Sequence, residues 1–217
     1  MNIVFALYEG MTALDLVGPY QVFAVASAMN VNVTLAASTK GPKTTDTGMI
    51  IHADKAFSEL KEVDVIVVPG TGQPQRPLSD TVLLEWLARV SPSARLTCSV
   101  CTGALVLGAA GLLKGKRATT HWAALEALHG FGAEPVRQRV VTDGATVTAA
   151  GVSAGIDMAL SVLARLTSEQ TARVVQLGIE YDPQPPFSAG SPASAGPEIV
   201  QLAQHWLATS APELLSR

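Results

Sequence analysis

The residues with the clearest chemical promise lie in the stretch Leu96-Thr-Cys-Ser-Val-Cys101-Thr-Gly-Ala-Leu-Val-Leu-Gly-Ala-Ala-Gly111. It reads as a short buried strand, one cysteine at a turn, and then a helix of small and aliphatic residues. A cysteine at a strand-to-helix turn is held where substrate can reach it, and the free N–H groups of the first helical turn point towards it. The helix dipole at that end favours thiolate over thiol, and thiolate is the form that attacks. Gly103 stands two residues on, where a side chain would crowd such a turn, although Ser99 takes the place of the upstream glycine usual in nucleophile elbows. A free cysteine is otherwise often a small buried hydrophobe. The pattern favours the chemical role, so Cys101 is the expected nucleophile of a small-molecule enzyme.

Cys98 and Cys101 also spell C-x-x-C, the spacing of a thioredoxin-like redox pair. In a strand, that separation spans about 10 Å at ~3.3 Å per residue. A disulfide needs Cα atoms within roughly 7 Å. The proline and tryptophan usual in redox turns are missing too, so Cys98 is expected in the core. Asp15 stands among Leu14, Leu16 and Val17. Thr12-x-x-Asp15 resembles a helix-capping pair, but Pro19 suits a first helical turn, which would start the regular helix near Gly18 and leave Asp15 in a loop. A carboxyl in apolar surroundings beside a thiolate has a raised pKa and can serve as a proton donor.

Thr102 is either a first-turn residue bonded to backbone or a hydroxyl that orients a carboxyl, water or substrate nitrogen. Gly70-Thr71-Gly72 is a tight turn whose N–H groups could stabilise a developing negative charge. Of His52, His121, His129 and His205, only His121 follows a motif of interest, Thr119-Thr120, and such a residue is more often a satisfied structural histidine. None has metal-ligand spacing, and there is no GxGxxG or P-loop, so neither a metal nor a nucleotide cofactor is indicated.

Composition narrows the class. The 217 residues are 48% hydrophobic and 15% charged, which suits a well-buried sheet rather than disorder. A net charge of −3, with no basic stripe, makes nucleic acid and acidic membrane surfaces poor partners. The N-terminus runs straight into a strand pattern, and no apolar run approaches the roughly 20 residues of a membrane span. Two cysteines make no disulfide framework. A soluble cytoplasmic protein is the expectation.

The elements that must position these residues alternate in type. Residues 2–8 and 63–69 are apolar runs, as expected of parallel strands buried on both faces, and 31–37 is another strand. A helical pattern covers 11–25. Residues 41–48 read as turn, 49–52 as a short extra strand, 57–60 as a brief helix, and 73–79 as a polar, proline-bearing loop. A helix spans 81–90, a strand 96–100, and a helix continues from the cysteine turn to Leu113. A surface turn at 114–117, a short strand at 118–120 and a helix over 121–129, ended by Gly130, follow. Residues 139–142 and 146–150 pair across Asp143-Gly144, a strong hairpin signal. One helix runs from Gly151-Val152-Ser153 to about Leu166, and another runs from Ser168 towards Glu180. Residues 181–197 should lie extended over the surface, and a last helix covers 198–209. This order implies one doubly wound α/β domain over 1–217, with a mostly parallel sheet sandwiched by helices. In such sheets ligands bind beyond the carboxyl ends of strands, which brings Asp15, Gly70-Thr71-Gly72 and Cys101 together.

With those residues in hand, the chain resembles the PfpI superfamily, which shares the flavodoxin-like, class I glutamine-amidotransferase-like fold. The resemblance rests on Leu14-Asp-Leu-Val-Gly-Pro-Tyr-Gln-Val-Phe23, Val67-Val-Pro-Gly-Thr-Gly72, Ser99-Val-Cys-Thr-Gly-Ala104, Ala118-Thr-Thr-His-Trp122 and Ala150-Gly-Val-Ser-Ala-Gly-Ile-Asp157. Protease-like members place a histidine directly after the cysteine, where this chain has Thr102. The motifs, and the tail Ile179-Glu-Tyr-Asp-Pro-Gln-Pro-Pro-Phe187, are most similar to the isocyanide (isonitrile) hydratases of that superfamily.

The resemblance implies a cofactor-free lyase in which Cys101 attacks the terminal isocyanide carbon to form a thioimidate. It also implies that Asp15 acts as general acid and base, and that Thr102 positions Asp15, water or the nitrogen. Gly70, Thr71, Gly72, Gly151 and Val152 would line the substrate and oxyanion site, and the protein would be a homodimer. Two alternatives remain at this point. One is glyoxalase- or deglycase-type work on reactive carbonyls. The other is a ligand- or redox-sensing module related to the N-terminal domains of AraC-type regulators. Those regulators carry a helix-turn-helix afterwards, for which this chain is expected to be too short.

Overall fold

The structure, a computed structural model, describes residues 1–215. Its strands and helices, in chain order, begin with β1 (Asn2–Ala6), α1 (Ala13–Val25), β2 (Asn32–Ala37), β3 (Gly41–Thr44), β4 (Ile50–Ala53), β5 (Lys55–Ala56) and β6 (Val65–Val68). Then come α2 (Gln75–Leu78), α3 (Thr81–Val90), β7 (Leu96–Val100), α4 (Gly103–Ala109), β8 (Arg117–Ala118) and β9 (Glu134–Pro135). The chain closes with β10 (Val140–Asp143), β11 (Thr146–Ala149), α5 (Ala154–Leu166), α6 (Glu169–Gly178) and α7 (Pro192–Ser210).

Seven strands form the central sheet in the order β10-β11-β7-β6-β1-β2-β5. Every neighbouring pair is parallel except β10 with β11. The apolar runs of β6 and β7 are buried at every position, as strands covered by helices on both faces must be. From β1 the chain moves to β2 on one side and later returns to β6 on the other. That reversal places a crevice beyond the carboxyl ends of β1 and β6, with β7 beside them. Asp15 in the first turn of α1, Gly70 and Cys101 follow the carboxyl ends of β1, β6 and β7. None of the helices among the described residues is long and apolar enough to cross a membrane.

The helix at 81–90 and the strand at 96–100 fall where the sequence predicts them, and the 139–150 hairpin forms with β10 and β11. Ser168 caps α6 by accepting from the Thr171 N–H. Elsewhere tertiary contacts change the local outcome. Helix α1 starts at Ala13, not near Gly18, so Asp15 lies in its first turn and Pro19 lies inside the helix. Pro19 lacks the N–H that would bond the Asp15 carbonyl, yet its fixed φ is helical and the turn is tolerated. Thr12 occupies the N-cap without capping, because its hydroxyl donates instead to Asp46 Oδ2 at 2.5 Å.

Residues 41–44, expected as turn, form β3 and pair antiparallel with β4. The end of this strand is tied to the exit of β1 by Gly10 N–H to Thr44 O and by Thr44 N–H to Glu9 Oε2. The expected loop at 73–79 contains the single turn α2. Helix α4 stops at Ala109, short of Leu113. The strand expected at 118–120 is reduced to Arg117–Ala118, and the helix after it is a 3-10 segment, Trp122–Phe131, closed by left-handed Gly132 rather than Gly130. Helix α7 begins at Pro192, inside the segment expected to be extended. Ser191 and Pro192 are an N-cap and first-turn pair, and the helix breaks at Gly196.

Candidate active site

Cys101 follows β7 directly and has a left-handed backbone with φ 54°. For a residue with a Cβ that conformation costs about 1–3 kcal/mol and persists only where the surroundings enforce it. Here the Cys101 N–H donates to both Ala149 O (3.1 Å) and Ala150 O (3.0 Å). On the other side of the residue, the Thr120 hydroxyl donates to Cys101 O at 2.7 Å. Gly103 is obligatory in this turn, because a Cβ there would lie 2.2 Å from Val68 O. Cys98 is a free thiol inside β7, and burial pushes it up to about 12.

Asp15 is fully buried and reaches the cysteine from the first turn of α1. Its Oδ2 accepts from the Gly70 N–H at 2.8 Å, while its buried Oδ1 has no hydrogen-bond partner among the described residues. Burial raises the carboxyl to about 7, against the lowering effects of the Gly70 N–H and the nearby Cys101 thiol. The thiol is itself held well above its usual range, first by burial and then by the Asp15 charge; the Val152 and Thr102 N–H groups oppose this. Burial and the Asp15 charge therefore work against the resting thiolate that the helix dipole favours. Desolvation outweighs the end of a seven-residue helix.

The Gly70-Thr71-Gly72 turn sits between these groups, but much of its donor capacity is spent internally. Gly70 N–H is committed to Asp15, and Thr71 N–H donates to Thr102 Oγ1 at 2.7 Å. The Thr102 hydroxyl returns a bond to Thr71 O at 2.7 Å, so it clamps this loop rather than facing a substrate. Only Gly72 keeps an N–H without a partner among the described residues. Gly70 must lack a side chain, since a Cβ would stand 2.5 Å from Thr102 N and 2.8 Å from Asp15 Oδ2. Tyr8, at the exit of β1, donates to Pro69 O at 2.6 Å, and the Asp15 and Cys101 charges add to the burial that raises its phenol. Sequence reasoning missed Tyr8 and Thr120, although Tyr8 closes a strand whose carboxyl end faces the crevice.

Cys101 opens into a cleft of about 600 Å3 that is also lined by Thr71, Gly72, His121 and Val152. Val152 has a positive φ of 27°, part of the turn that brings its N–H towards the sulfur. Gly151 belongs instead to a neighbouring cavity of about 500 Å3, which shares His121 and Val152 with the first. The His121 ring packs on Gly151, where a Cβ would lie 2.9 Å from its Cδ2, and burial lowers its pKa. Among the described residues, no three His, Cys, Asp or Glu side chains converge to hold a metal ion. The last wall of the cleft comes from Trp206, Leu207, Ala211 and Leu214, which sequence reading did not connect with Cys101.

A mostly parallel sheet with a strained cysteine at the exit of an inner strand defines a class of flavodoxin-like α/β proteins built around a single cysteine turn. Within that class, the sequence pattern of the DJ-1/PfpI family matches residues 1–165, and the chain belongs to this family. It is 43% identical over 210 residues to an isonitrile hydratase of Pseudomonas putida, covering 97% of this chain and 91% of that one. It is 30% identical to the HTH-type transcriptional regulator CdhR of Pseudomonas aeruginosa, over 77% of this chain but 51% of the regulator. Among solved structures, a ThiJ/PfpI family protein from Pseudomonas syringae superposes with a TM-score of 0.92 at 40% identity, covering 99% of this chain and 88% of that one.

Proposed function

We propose that this protein hydrates organic isocyanides to N-substituted formamides, with Cys101 as nucleophile, Asp15 as proton carrier and the chain acting as one domain. The observation that carries this reading is a buried Asp15 carboxyl raised to about 7 beside the Cys101 thiol. The relation to the P. putida isonitrile hydratase supports it. Acyl transfer needs a base that hands its proton on to a leaving group. An isocyanide carbon has no leaving group and accepts both the sulfur and a proton. The reaction therefore needs a group that carries one proton from sulfur to carbon, and a carboxyl titrating near neutrality suits that task.

As sulfur bonds to the terminal carbon, the Asp15 carboxylate takes the thiol proton and delivers it to that carbon, giving a thioimidate, R–N=CH–S. Asp15 is then a carboxylate again and removes a proton from water as the water oxygen adds to the same carbon. That proton passes to nitrogen. The remaining hydroxyl proton returns to sulfur as the C–S bond breaks, so one isocyanide and one water leave as one formamide. Asp15 Oδ1, which has no hydrogen-bond partner among the described residues, is the oxygen placed to carry the proton. Thr102 serves by holding the Gly70–Thr71 backbone that orients Oδ2, and Gly72 N–H is the donor left for the substrate. The test is incubation of purified protein with cyclohexyl isocyanide, following N-cyclohexylformamide. Turnover is expected, with an acid-quenched adduct on Cys101; no turnover, or full activity in Cys101→Ala, removes the reading.

A further inference from the structure

We infer that a second cavity, over the carboxyl ends of β1 and β2, binds phosphate, free or carried on a small molecule, with the Lys43 ammonium as its main contact. The inference does not depend on the reading of Cys101, which lines a different cleft. The cavity holds about 490 Å3. Tyr8 and Glu9 reach it from the exit of β1, Ser38 and Thr39 from the exit of β2, and Lys43 from β3; Arg76 and Asp80 line it as well. Open α/β sheets bind ligands beyond the carboxyl ends of their strands, and this cavity lies one strand along from the Cys101 crevice.

Lys43 occupies the buried position of β3 and is only 8% exposed. Its ammonium donates to Thr39 Oγ1 at 3.3 Å and to Pro42 O at 3.4 Å, contacts that are both long and both neutral. No carboxylate lies within 4.0 Å of it among the described residues. A covered charge is ordinarily paired, and the counter-charge that this one lacks can reach it from the cavity. The carboxylates that line the cavity are engaged elsewhere. Glu9 Oε2 accepts from the Thr44 N–H at 2.9 Å, and Asp80 Oδ1 caps α3 by accepting from the Leu83 N–H at 3.0 Å. Arg76 supplies a second cation, without an ion pair among the described residues. Its guanidinium lies over Gly10, where a Cβ would meet Nη1 at 3.4 Å. Tyr8 spends its hydroxyl on Pro69 O, so the remaining donors are the hydroxyls of Ser38 and Thr39. Two separate cations flanked by hydroxyls suit a compact dianion with several acceptor oxygens. A carboxylate, with one charge and two oxygens, would leave one of the cations unanswered.

The test titrates inorganic phosphate and glycerol 3-phosphate into the protein by calorimetry, with chloride holding the ionic strength constant. Saturable binding of at least one is expected, and the tighter of the two tells free phosphate from a phosphate ester. Lys43→Met, which keeps the stem and removes the charge, should weaken binding at least about tenfold, and Arg76→Gln should weaken it less. Arg89→Gln, which removes an exposed cation of α3 outside the cavity, should leave the affinity unchanged, as should Cys101→Ala. No saturable binding, binding indifferent to Lys43, or an equal loss in Arg89→Gln overturns the site. A loss in Cys101→Ala places the anion in the neighbouring cleft and overturns it too. Urea unfolding separates a lost site from a lost fold. Phosphate should raise the midpoint of the wild type and not that of Lys43→Met, each compared with itself in chloride, and an equal rise in both overturns the inference.

Discussion

Loss of water pushes the Asp15 carboxyl and the Cys101 thiol upward alike, and the proposed chemistry uses that shared reluctance to ionise. The reactive state carries one proton between them, on the thiol beside a carboxylate. Protonating Asp15 leaves no acceptor for the thiol proton. Because the carboxyl titrates at about 7, kcat/KM should rise with pH up to about 7 and level off above it. A profile flat from pH 5 to 9 would exclude this role.

The same raised pKa has a stability consequence of definite sign. The folded protein binds the Asp15 proton more tightly than the unfolded chain, so the group costs nothing below 3.8 and destabilises progressively as pH rises towards about 7. The full penalty is of order 4 kcal/mol. Asp15→Asn keeps an acceptor for the Gly70 N–H but no ionisable group. We expect it to lose about 10²–10⁴ in kcat/KM while unfolding at higher urea than wild type at pH 8, with the difference vanishing at low pH. A destabilised variant at pH 8 would contradict the burial argument.

At the scale of elements, the cysteine turn depends on how closely α4 approaches β6. With Val68 O only 2.2 Å from the position of a Cβ on residue 103, Gly103→Ala must move the helix or the strand end. It should cost about 3 kcal/mol or more in chemical denaturation and disturb Cys101. Gly178→Ala, at the end of α6 where a Cβ meets nothing within 4 Å, is the control and should be near neutral. Equal effects would mean that the close approach is not what the glycine provides. The same element logic explains why α1 overrides its proline. Starting at Ala13 places Asp15 on a helical turn that can be buried against the Gly70 loop, and one missing N–H is a smaller loss than an exposed Leu16 and Phe23.

The whole molecule gathers the site from the two ends of the chain. Strand order reverses at β1, so the loops after β1 and β6 face each other across the crevice, while α7 returns from the far end of the sequence to roof it. Resemblance to the PfpI superfamily implies a homodimer. Sedimentation equilibrium should then give twice the 22.6 kDa of one chain, with a single cooperative unfolding transition. A monomer would withdraw the first expectation, and two separable transitions the second.

Much of this was legible along the chain, because the signals are local. Apolar runs mark β1, β6 and β7, Asp143-Gly144 marks the hairpin, and a cysteine two residues before Gly103 marks the turn. What escaped were features decided between segments. The Thr12 hydroxyl goes to Asp46 instead of its own helix, and residues 41–44 become a strand only because β4 is there to pair with them. The Gly70 and Thr71 N–H groups are consumed by Asp15 and Thr102. By itself, the sequence determined the strand–helix order and the cysteine turn, since periodicity and turn chemistry act over a few residues. Only the tertiary structure decided the protonation of Cys101 and Asp15 and the wall that faces them, since desolvation and cavity shape depend on what the rest of the chain packs around a group.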